Sequence, residues 1–129
     1  MREEDGKPQD IRERSTRYAL RAIKFYQSLL KGKDSVGVIL GKQYLRSATS
    51  IGANVEEAQS AESRADFIHK YGVSRKEANE SLYWLRLLTE AEVVSRNRLA
   101  GLMQETEELV AVITAIIVSA KKKNPRVTS

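Results

Sequence analysis

Cysteine is absent from the sequence, and the only two prolines, Pro8 and Pro125, lie near its two ends. Without cysteine there is neither a disulfide framework nor a thiolate metal site. Between the prolines nothing interrupts long helices. The longest apolar segment, 109–118, is interrupted by Thr114 and is shorter than the roughly 20 residues that a membrane-spanning helix needs. No apolar signal segment follows the charged start. We therefore expect a soluble, cytoplasmic protein that does not enter a membrane.

The chain has 129 residues, enough for one domain, and carries a formal net charge of +5. The excess of basic residues falls in two stretches, 11–33 and 119–129, whereas 34–118 contains more acidic than basic residues. Such an uneven distribution favours an anionic partner. The alternative is that these charges only confer solubility and form ordinary ion pairs.

Helical periodicity predicts four helices, over about 10–31, 36–58, 64–91 and 98–122. The residues suited to ending or capping these helices are Gly32, Asp34 or Ser35, Ser63 and Asn97. Because the connections are short, consecutive helices are expected to run antiparallel. The predicted fold is an all-α, up-down-up-down antiparallel four-helix bundle over residues 10–123, between a flexible arm, 1–9, and a flexible tail, 124–129.

The second helix contains many small residues, such as Ser47, Ala48 and Gly52, so neighbouring helices can approach it closely. Its predicted inner face consists of Val36, Leu40, Gln43, Ser47, Ile51, Asn54, Val55 and Ala58. On that face Asn54 needs a hydrogen-bonding partner, because an unpaired buried amide is costly. We expect the other helices to pack around this one.

Basic side chains recur at three- and four-residue spacing along the first helix and form one flank, made of Arg14, Arg17, Arg21 and Lys24. The predicted topology brings the start of this helix near a second basic cluster, Lys121, Lys122 and Lys123. A basic helical flank can follow phosphates without reading a base sequence. We interpret these residues as a nucleic-acid-binding surface for RNA or DNA. Glu56 and Glu57 are expected at the same pole, so the alternative is that part of the basic charge is neutralised internally.

The second half of the fourth helix is apolar on its outer side as well, at Val112, Ala115 and Val118. A helix that is apolar all round is buried all round, and a bundle of four helices has no further element to cover this side. Trp84 and Leu87 likewise lie off the inner face of the third helix. We therefore predict that Trp84, Leu87, Val112, Ala115 and Val118 form an oligomer interface, the alternative being a modest exposed apolar patch.

Residues that would support catalysis or bind a cofactor are few. The single histidine, His69, cannot complete a di-iron carboxylate site, which needs two Glu-x-x-His motifs, and we interpret it as a surface residue. The carboxylate pairs, which are typical of solvated helix faces, are Glu56–Glu57, Glu77/Glu80 and Glu107–Glu108. Tyr26 and Tyr44 are candidates for stacking on bases, with packing in the core as the alternative. We predict that the protein is not an enzyme and binds neither a cofactor nor a metal.

The stretch 46–88, RSATSIGANVEEAQSAESRADFIHKYGVSRKEANESLYWLRLL, carries a recognisable pattern. Its elements are Arg46-Ser47, Ser50-Ile51, Ala53-Asn54, Asp66-Phe67-Ile68, the run 75–80 and the run 81–85. The stretch resembles the family of proteins encoded within intervening sequences of bacterial 23S rRNA genes, which is related to the accessory variability determinant proteins of diversity-generating retroelements. The resemblance implies a four-helix bundle that forms a closed homo-oligomeric ring, commonly a pentamer, without a cofactor. It also implies a role involving RNA or nucleoprotein, so RNA is favoured over DNA as the nucleic acid.

The chain departs from this pattern at one place. Many relatives have Ile-Ala-Glu-Gly where this chain has Val55-Glu56-Glu57-Ala58, so the second helix is expected to run on towards Ser60. Together these observations predict a non-enzymatic, homo-oligomeric bundle that binds structured RNA or DNA through its basic surfaces. The alternative is a protein-interaction scaffold, or an accessory factor for a nucleoprotein enzyme such as a reverse transcriptase.

Overall fold

The computed structural model describes the backbone of residues 10–128 and the side chains of residues 10–122. Within this part the chain forms four helices and no strand, and the helices are α1 (Ile11–Gly32), α2 (Ser35–Ala58), α3 (Arg64–Glu90) and α4 (Arg96–Thr128). The predicted all-α, four-helix fold is thereby confirmed. The predicted arm, 1–9, and the side chains of the predicted tail lie outside the described residues. None of the described helices is both long and apolar enough to cross a bilayer.

The first three helices begin after polar residues whose side chains accept a hydrogen bond from the first turn. Asp10 accepts from the backbone N–H two residues on, at 2.9 Å, and Asp34 from the N–H three residues on, at 3.0 Å. Ser63 accepts from the N–H three residues on, also at 3.0 Å. These bonds satisfy N–H groups that have no partner within the helix. They confirm the predicted caps Asp34 and Ser63.

The fourth helix differs from its prediction at both ends. Ser95, not Asn97, caps it, because the Ser95 hydroxyl accepts a hydrogen bond from the backbone N–H of Arg98 at 3.2 Å. The helix therefore begins at Arg96, and Asn97 already belongs to its first turn. At the other end α4 passes the predicted end at Lys122 and continues to Thr128, through residues that the sequence assigned to the tail.

The ends of α1 and α2 also correct the sequence prediction. Gly32 is the last residue of α1, and Lys33 rather than the glycine takes the left-handed conformation, with a φ of 62°. The chain changes direction at Lys33, and the next residue, Asp34, is extended and caps α2. The second helix ends at Ala58 and is not extended to Ser60, whose N–H instead donates to the Glu57 carbonyl at 3.0 Å in a tighter turn.

The buried face of α2 is broader than the face that periodicity predicted. Its buried residues include not only Ser47, Ile51, Val55 and Ala58, as expected, but also Gly37, Gly41 and Tyr44. Val36 and Gln43 are exposed, and the half-buried Asn54 donates to a carbonyl of its own helix at 2.9 Å. The glycines explain the difference. The side chain of Leu29 in α1 fills the space beside Gly41, and Val93 Cγ1 lies 2.8 Å from the position of a Cβ on Gly37.

Buried hydroxyl groups link the helices through hydrogen bonds. The Tyr44 hydroxyl donates to the Tyr18 hydroxyl at 2.8 Å, and Tyr18 is bonded to the Thr106 hydroxyl at 2.5 Å. Ser47 of α2 and Ser81 of α3 are joined in the same way at 2.8 Å. Each of these groups is 1% exposed or less and would be costly without a partner. Tyr44 therefore packs in the core rather than facing a ligand, and burial raises the pKa of its hydroxyl.

Contacts near the helix ends show how far the helices overlap. An ion pair at 3.2 Å joins the start of α1 to the end of α2. Arg98 at the start of α4 donates to Ser28 near the end of α1 at 2.6 Å, and Arg64 at the start of α3 donates to a carbonyl late in α4 at 2.9 Å. Since α4 has 33 residues and α1 only 22, α4 runs on beyond the start of α1. There α2, α3 and α4 border a groove of about 690 Å³.

Candidate nucleic-acid interface

The basic flank predicted on α1 is present as a row of side chains. Arg17, Arg21 and Lys24 are exposed, and Arg14 is partly buried on the same flank. Spacings of three and four residues place these side chains one above another, because 3.6 residues complete a helical turn. The row lies on the side of α1 that adjoins α4, where Arg21 Nη2 is 3.2 Å from the position of a Cβ on Gly101.

Arg14 is engaged in a partly buried ion pair with α4. Its Nε and Nη2 donate to the two carboxylate oxygens of Glu105 at 2.8 and 3.0 Å, and Nη2 also pairs with Glu108. The side chains of Arg14 and Glu105 are only 21% and 20% exposed. The hydrogen bond to Glu105 raises the pKa of the Arg14 guanidinium, because it favours the charged form. Arg14 thus joins α1 to α4, and its charge is balanced within the protein.

The rest of the row has no comparable partner. The side chains of Arg17, Arg21 and Lys24 form no hydrogen bond and no ion pair with any residue from 10 to 122. The positive charge that α1 presents to solvent is therefore centred on these three residues. Beside them, between α1 and α4, a cleft of about 360 Å³ is lined by Arg14, Arg17, Tyr18, Arg21 and Glu105.

Arg98, which the sequence analysis did not single out, extends this positive surface onto α4. Its guanidinium lies 5.6 Å above the centroid of the Phe25 ring and donates to Ser28, one turn beyond Lys24 on the same flank of α1. The signal that reveals Arg98 is the opposite direction of α1 and α4 along their contacts, which places the start of α4 beside the end of α1. We define the basic surface as Arg17, Arg21, Lys24 and Arg98.

The second predicted basic cluster lies far from this surface. Lys121 and Lys122 are exposed in the last part of α4, and the side chain of Lys123 lies outside the described residues. Gly101, beside Arg21, is separated from Lys121 by about 30 Å of helix at a rise of 1.5 Å per residue. The structure does not bring the two clusters together, because α4 is longer than α1 and carries the lysines past the start of α1.

Acidic residues expected at that pole are partly neutralised by basic neighbours. Glu56 pairs with Arg12 at 3.2 Å, and Glu57 pairs with Lys70 at 2.9 Å. Glu56 and Glu57 are exposed, so each pair contributes little to stability. Internal pairing of the basic residues thus holds for Arg12 and Arg14. Within residues 10–122, the side chains of Arg17, Arg21 and Lys24 have no such internal partner.

The side chains considered for catalysis or metal binding do not assemble into a site. His69 is exposed, as expected of a surface residue. Over the described part of the chain, no three His, Cys, Asp or Glu side chains are grouped so that they could hold a metal ion. Glu77 and Glu80, one turn apart on α3, both pair with Arg46, and Trp84 Nε1 donates to Glu80 at 3.1 Å. These carboxylates therefore join α3 to α2.

The residues predicted to form an oligomer interface fall into two separate groups, Trp84 and Leu87 on α3 and Val112, Ala115 and Val118 on α4. Trp84, Leu87 and Val112 are half-buried, whereas Ala115 and Val118 are exposed. The start of α3 hydrogen-bonds to the last part of α4, so Val118 lies beside the start of α3. Trp84 lies about 30 Å further along α3. These residues do not form one continuous surface within a single copy.

The sequence of residues 7–115 matches the family model described as 23S rRNA-intervening sequence protein. The chain belongs to this family. Its fold is similar to the crystal structure of a protein of unknown function from the S23 ribosomal protein family of Bacteroides thetaiotaomicron, with a TM-score of 0.78 and 38% sequence identity over 84% of this chain and 98% of that chain. No curated protein matches the chain. The resemblance inferred from residues 46–88 is confirmed, and neither match names an activity.

In this member of the 23S rRNA-intervening sequence protein family, the segments that carried the resemblance hold α2 against α3. Arg46 of the Arg-Ser element pairs with Glu80, which also accepts the hydrogen bond of Trp84. The neighbouring Ser47 is bonded to Ser81. The residues that carry the resemblance are therefore residues that pack α2 against α3. The basic surface on α1 and α4 is not among them.

This member of the family also exposes an apolar patch on the outer side of α2 and α3. Ile39 lies two helical turns before Arg46 on α2, and Leu87 lies two turns after Glu80 on α3. Because α2 and α3 run in opposite directions along their contacts, Ile39 and Leu87 lie at the same height along the two helices and on the same side as the ion pair. Val36, Ile39 and Tyr83 are 52%, 63% and 46% exposed. We define the α2–α3 patch as Val36, Ile39, Tyr83, Trp84 and Leu87. Contiguous exposed apolar residues are typical of interaction sites.

Proposed function

We propose that this protein is a non-enzymatic binding protein that holds the phosphate backbone of structured RNA or DNA against the basic surface. The observation that carries the proposal is the exposure of Arg17, Arg21 and Lys24 on one flank of α1, with no ion-pair partner among residues 10–122. Arg98 adds a further positive charge from α4. Phosphate contacts of this kind supply affinity and orientation without reading a base sequence.

RNA is the favoured ligand because the family is named for intervening sequences of 23S rRNA. We place the activity in the cytoplasm, where ribosomal RNA is found. The charge on Arg14 is already balanced by Glu105 and Glu108, so it supports the surface by holding α1 and α4 together. Lys121 and Lys122 would touch only a ligand long enough to extend about 30 Å along α4.

The test is the binding of an RNA hairpin to nuclease-treated protein, measured by fluorescence anisotropy at several salt concentrations. The variant Arg17→Ala/Arg21→Ala/Lys24→Ala should lose about tenfold or more in affinity for all sequences alike. The slope of log K against log salt should fall in magnitude by about three, since each phosphate contact contributes about 0.9. Unchanged affinity in this variant contradicts the proposal.

The matched control removes the same number of charges from the helices that do not carry the basic surface. The variant Lys42→Ala/Lys76→Ala/Arg86→Ala changes exposed residues of α2 and α3 only. It should bind the hairpin as the unaltered protein does. An equal loss of affinity in both variants would mean that only net charge matters and that the basic surface has no special role.

A second candidate function is a protein-interaction scaffold, such as an accessory factor of a nucleoprotein enzyme. The α2–α3 patch favours it, because three of its residues are about half exposed or more. Capture of a protein partner that survives both nuclease and high salt, and that is lost in Ile39→Asp, would support this function. Capture that nuclease abolishes would support nucleic-acid binding instead.

We also infer that the helices run up-down-up-down and that copies of the chain assemble into a closed homo-oligomeric ring, a pentamer according to the family resemblance. The topology is supported by contacts that join the start of one helix to the end of its neighbour. Assembly is supported by the α2–α3 patch and by a second set of exposed apolar residues on α1, Leu20, Ile23 and Leu30. Contact between two different surfaces of the same chain produces a ring when the rotation closes.

A further inference from the structure

We propose that the cleft between α1 and α4 binds the terminal phosphate of a nucleic-acid strand, a phosphomonoester rather than an internal phosphodiester. The inference rests on the proposed nucleic-acid binding and names the group that is recognised at the same surface. The cleft has a volume of about 360 Å³ and is lined by Arg14, Arg17, Tyr18, Arg21 and Glu105.

Two of the three arginines in the cleft are available to a ligand. Arg14 is balanced by Glu105 and Glu108, whereas Arg17 and Arg21 have no side-chain partner among residues 10–122. Arg21 lies close to the α4 backbone beside Gly101, since its Nη2 is 3.2 Å from the position of a Cβ there. The cleft thus holds two guanidinium groups whose charge is not neutralised by the described residues.

The charge of the cleft matches a phosphomonoester better than a phosphodiester. A phosphomonoester carries about −1.5 to −2 charges at pH 7 and offers three terminal oxygens, whereas each internal phosphate of a strand carries a single negative charge. A guanidinium presents its donors as a planar fork that binds two phosphate oxygens at once. Two such forks can therefore be satisfied together by the terminal group.

The surroundings of the cleft also favour a strand end. Towards the start of α1 the cleft is bordered by Glu105 and Glu108, whose two negative charges exceed the single positive charge of Arg14, so a strand that continued in that direction would be repelled. Lys24 and Arg98 lie towards the end of α1, so a strand that extends in that direction stays beside positively charged side chains. A strand lying along the basic surface therefore ends in the cleft.

The experiment compares three versions of one short single-stranded RNA, with a 5′-phosphate, with a 3′-phosphate, or with hydroxyl groups at both ends. Binding is measured by fluorescence anisotropy with an internal label, so that both ends stay free. One of the phosphorylated strands should bind about tenfold tighter than the strand without a terminal phosphate. Which of the two binds tighter identifies the end that is recognised.

Two variants separate the fork geometry from charge alone. Arg17→Lys/Arg21→Lys keeps both charges, so binding should remain salt-dependent while the preference for a terminal phosphate is lost. Lys42→Ala/Lys76→Ala, which lies outside the cleft, should keep the preference. Circular dichroism and thermal unfolding establish that both variants are folded.

The outcomes distinguish this inference from the function on which it rests. If all three strands bind equally and binding still requires Arg17, Arg21 and Lys24, the terminal-phosphate inference is wrong and nucleic-acid binding stands. If none of the strands and no structured RNA binds at low salt, both are wrong. A preference that persists in Arg17→Lys/Arg21→Lys also overturns the assignment of the cleft.

Discussion

Arg14 and Glu105 join α1 to α4 by two hydrogen bonds of 2.8 and 3.0 Å, and among the adjacent helix pairs of the described residues this pair makes the least backbone contact. Because this pair is mostly shielded from water and Glu108 adds to it, removing one partner leaves a charge without compensation. The ion pair therefore adds to the buried Tyr18–Thr106 hydrogen bond in joining α1 to α4.

Replacing Arg14 by alanine should lower the free energy of unfolding by about 2 kcal/mol, since hydrogen bonds between charged groups contribute about 1.5–3 kcal/mol. Urea denaturation followed by circular dichroism measures this change. The control is Arg12→Ala, whose pair with Glu56 is half exposed on both sides and should contribute much less than the Arg14–Glu105 pair, because solvent screens exposed charges. Equal losses in the two variants would show that burial of the Arg14–Glu105 pair is unimportant.

Two glycines inside helices should respond in opposite directions to the same substitution. A Cβ on Gly41 would collide with the buried Leu29 and lie 3.2 Å from Tyr26 Cδ1, so Gly41→Ala should destabilise the protein by about 1–2 kcal/mol. Gly72→Ala meets nothing within 4 Å and should stabilise it by about 0.5–1 kcal/mol through helix propensity. Thermal unfolding of both variants checks the sign of each effect. Stabilisation by Gly41→Ala would mean that α1 and α2 can move apart at no cost.

The single tryptophan should report the protonation of Glu80. The hydrogen bond from Trp84 Nε1, together with Arg46, lowers the pKa of Glu80 below its ordinary value of 4.5. A lowered pKa means that the carboxylate stabilises the fold above the pKa of the unfolded chain, and that this contribution is lost as the pH falls through the folded pKa. Trp84 fluorescence should therefore change in a step below pH 4.5.

The variant Glu80→Gln is the control for that titration. Its fluorescence should already differ at neutral pH, because the partner of the indole N–H has lost its charge, and the step below pH 4.5 should disappear. A step that persists in the variant would assign the change to another group.

The length of the nucleic acid should decide whether Lys121 and Lys122 matter. A duplex spans about 30 Å in roughly nine base pairs, so a six-pair hairpin cannot touch both these lysines and Arg21. Lys121→Ala/Lys122→Ala should leave the binding of that hairpin unchanged and lower the salt slope for a 20-pair duplex by about two. Arg17→Ala/Arg21→Ala should weaken the binding of both ligands. Loss of hairpin affinity in the lysine variant would place the site at the end of α4 instead.

Two paired substitutions test which apolar surface joins copies of the chain. Val36→Glu/Ile39→Glu alters exposed residues of the α2–α3 patch, and Ala115→Glu/Val118→Glu alters exposed residues of α4. We expect the first pair to lower the native mass measured by light scattering while the helix content stays the same. A lower mass only in the second pair would support the interface predicted from the sequence. An unchanged mass in both would contradict assembly through either surface.

The local features of this protein were largely predictable from its sequence. The caps Asp34 and Ser63 and the surface position of His69 depend on spacing along one helix or on hydrogen bonds over three residues. The cap Ser95 in place of Asn97 is one of the exceptions, and it shows the limit of such rules. Both are good caps, and the choice depends on where the α3–α4 loop directs the chain.

The sequence by itself determined the number of helices, the family and the basic flank of α1, because each follows from residue types at helical spacing. The tertiary structure alone decided which of those arginines face solvent. Arg14 is neutralised by a carboxylate 91 residues away, and Arg98 joins the basic surface from another helix. Charge balance acts through space and not along the chain. For that reason the four basic residues of α1, which are alike in sequence, differ in role: Arg14 joins two helices, whereas Arg17, Arg21 and Lys24 face solvent.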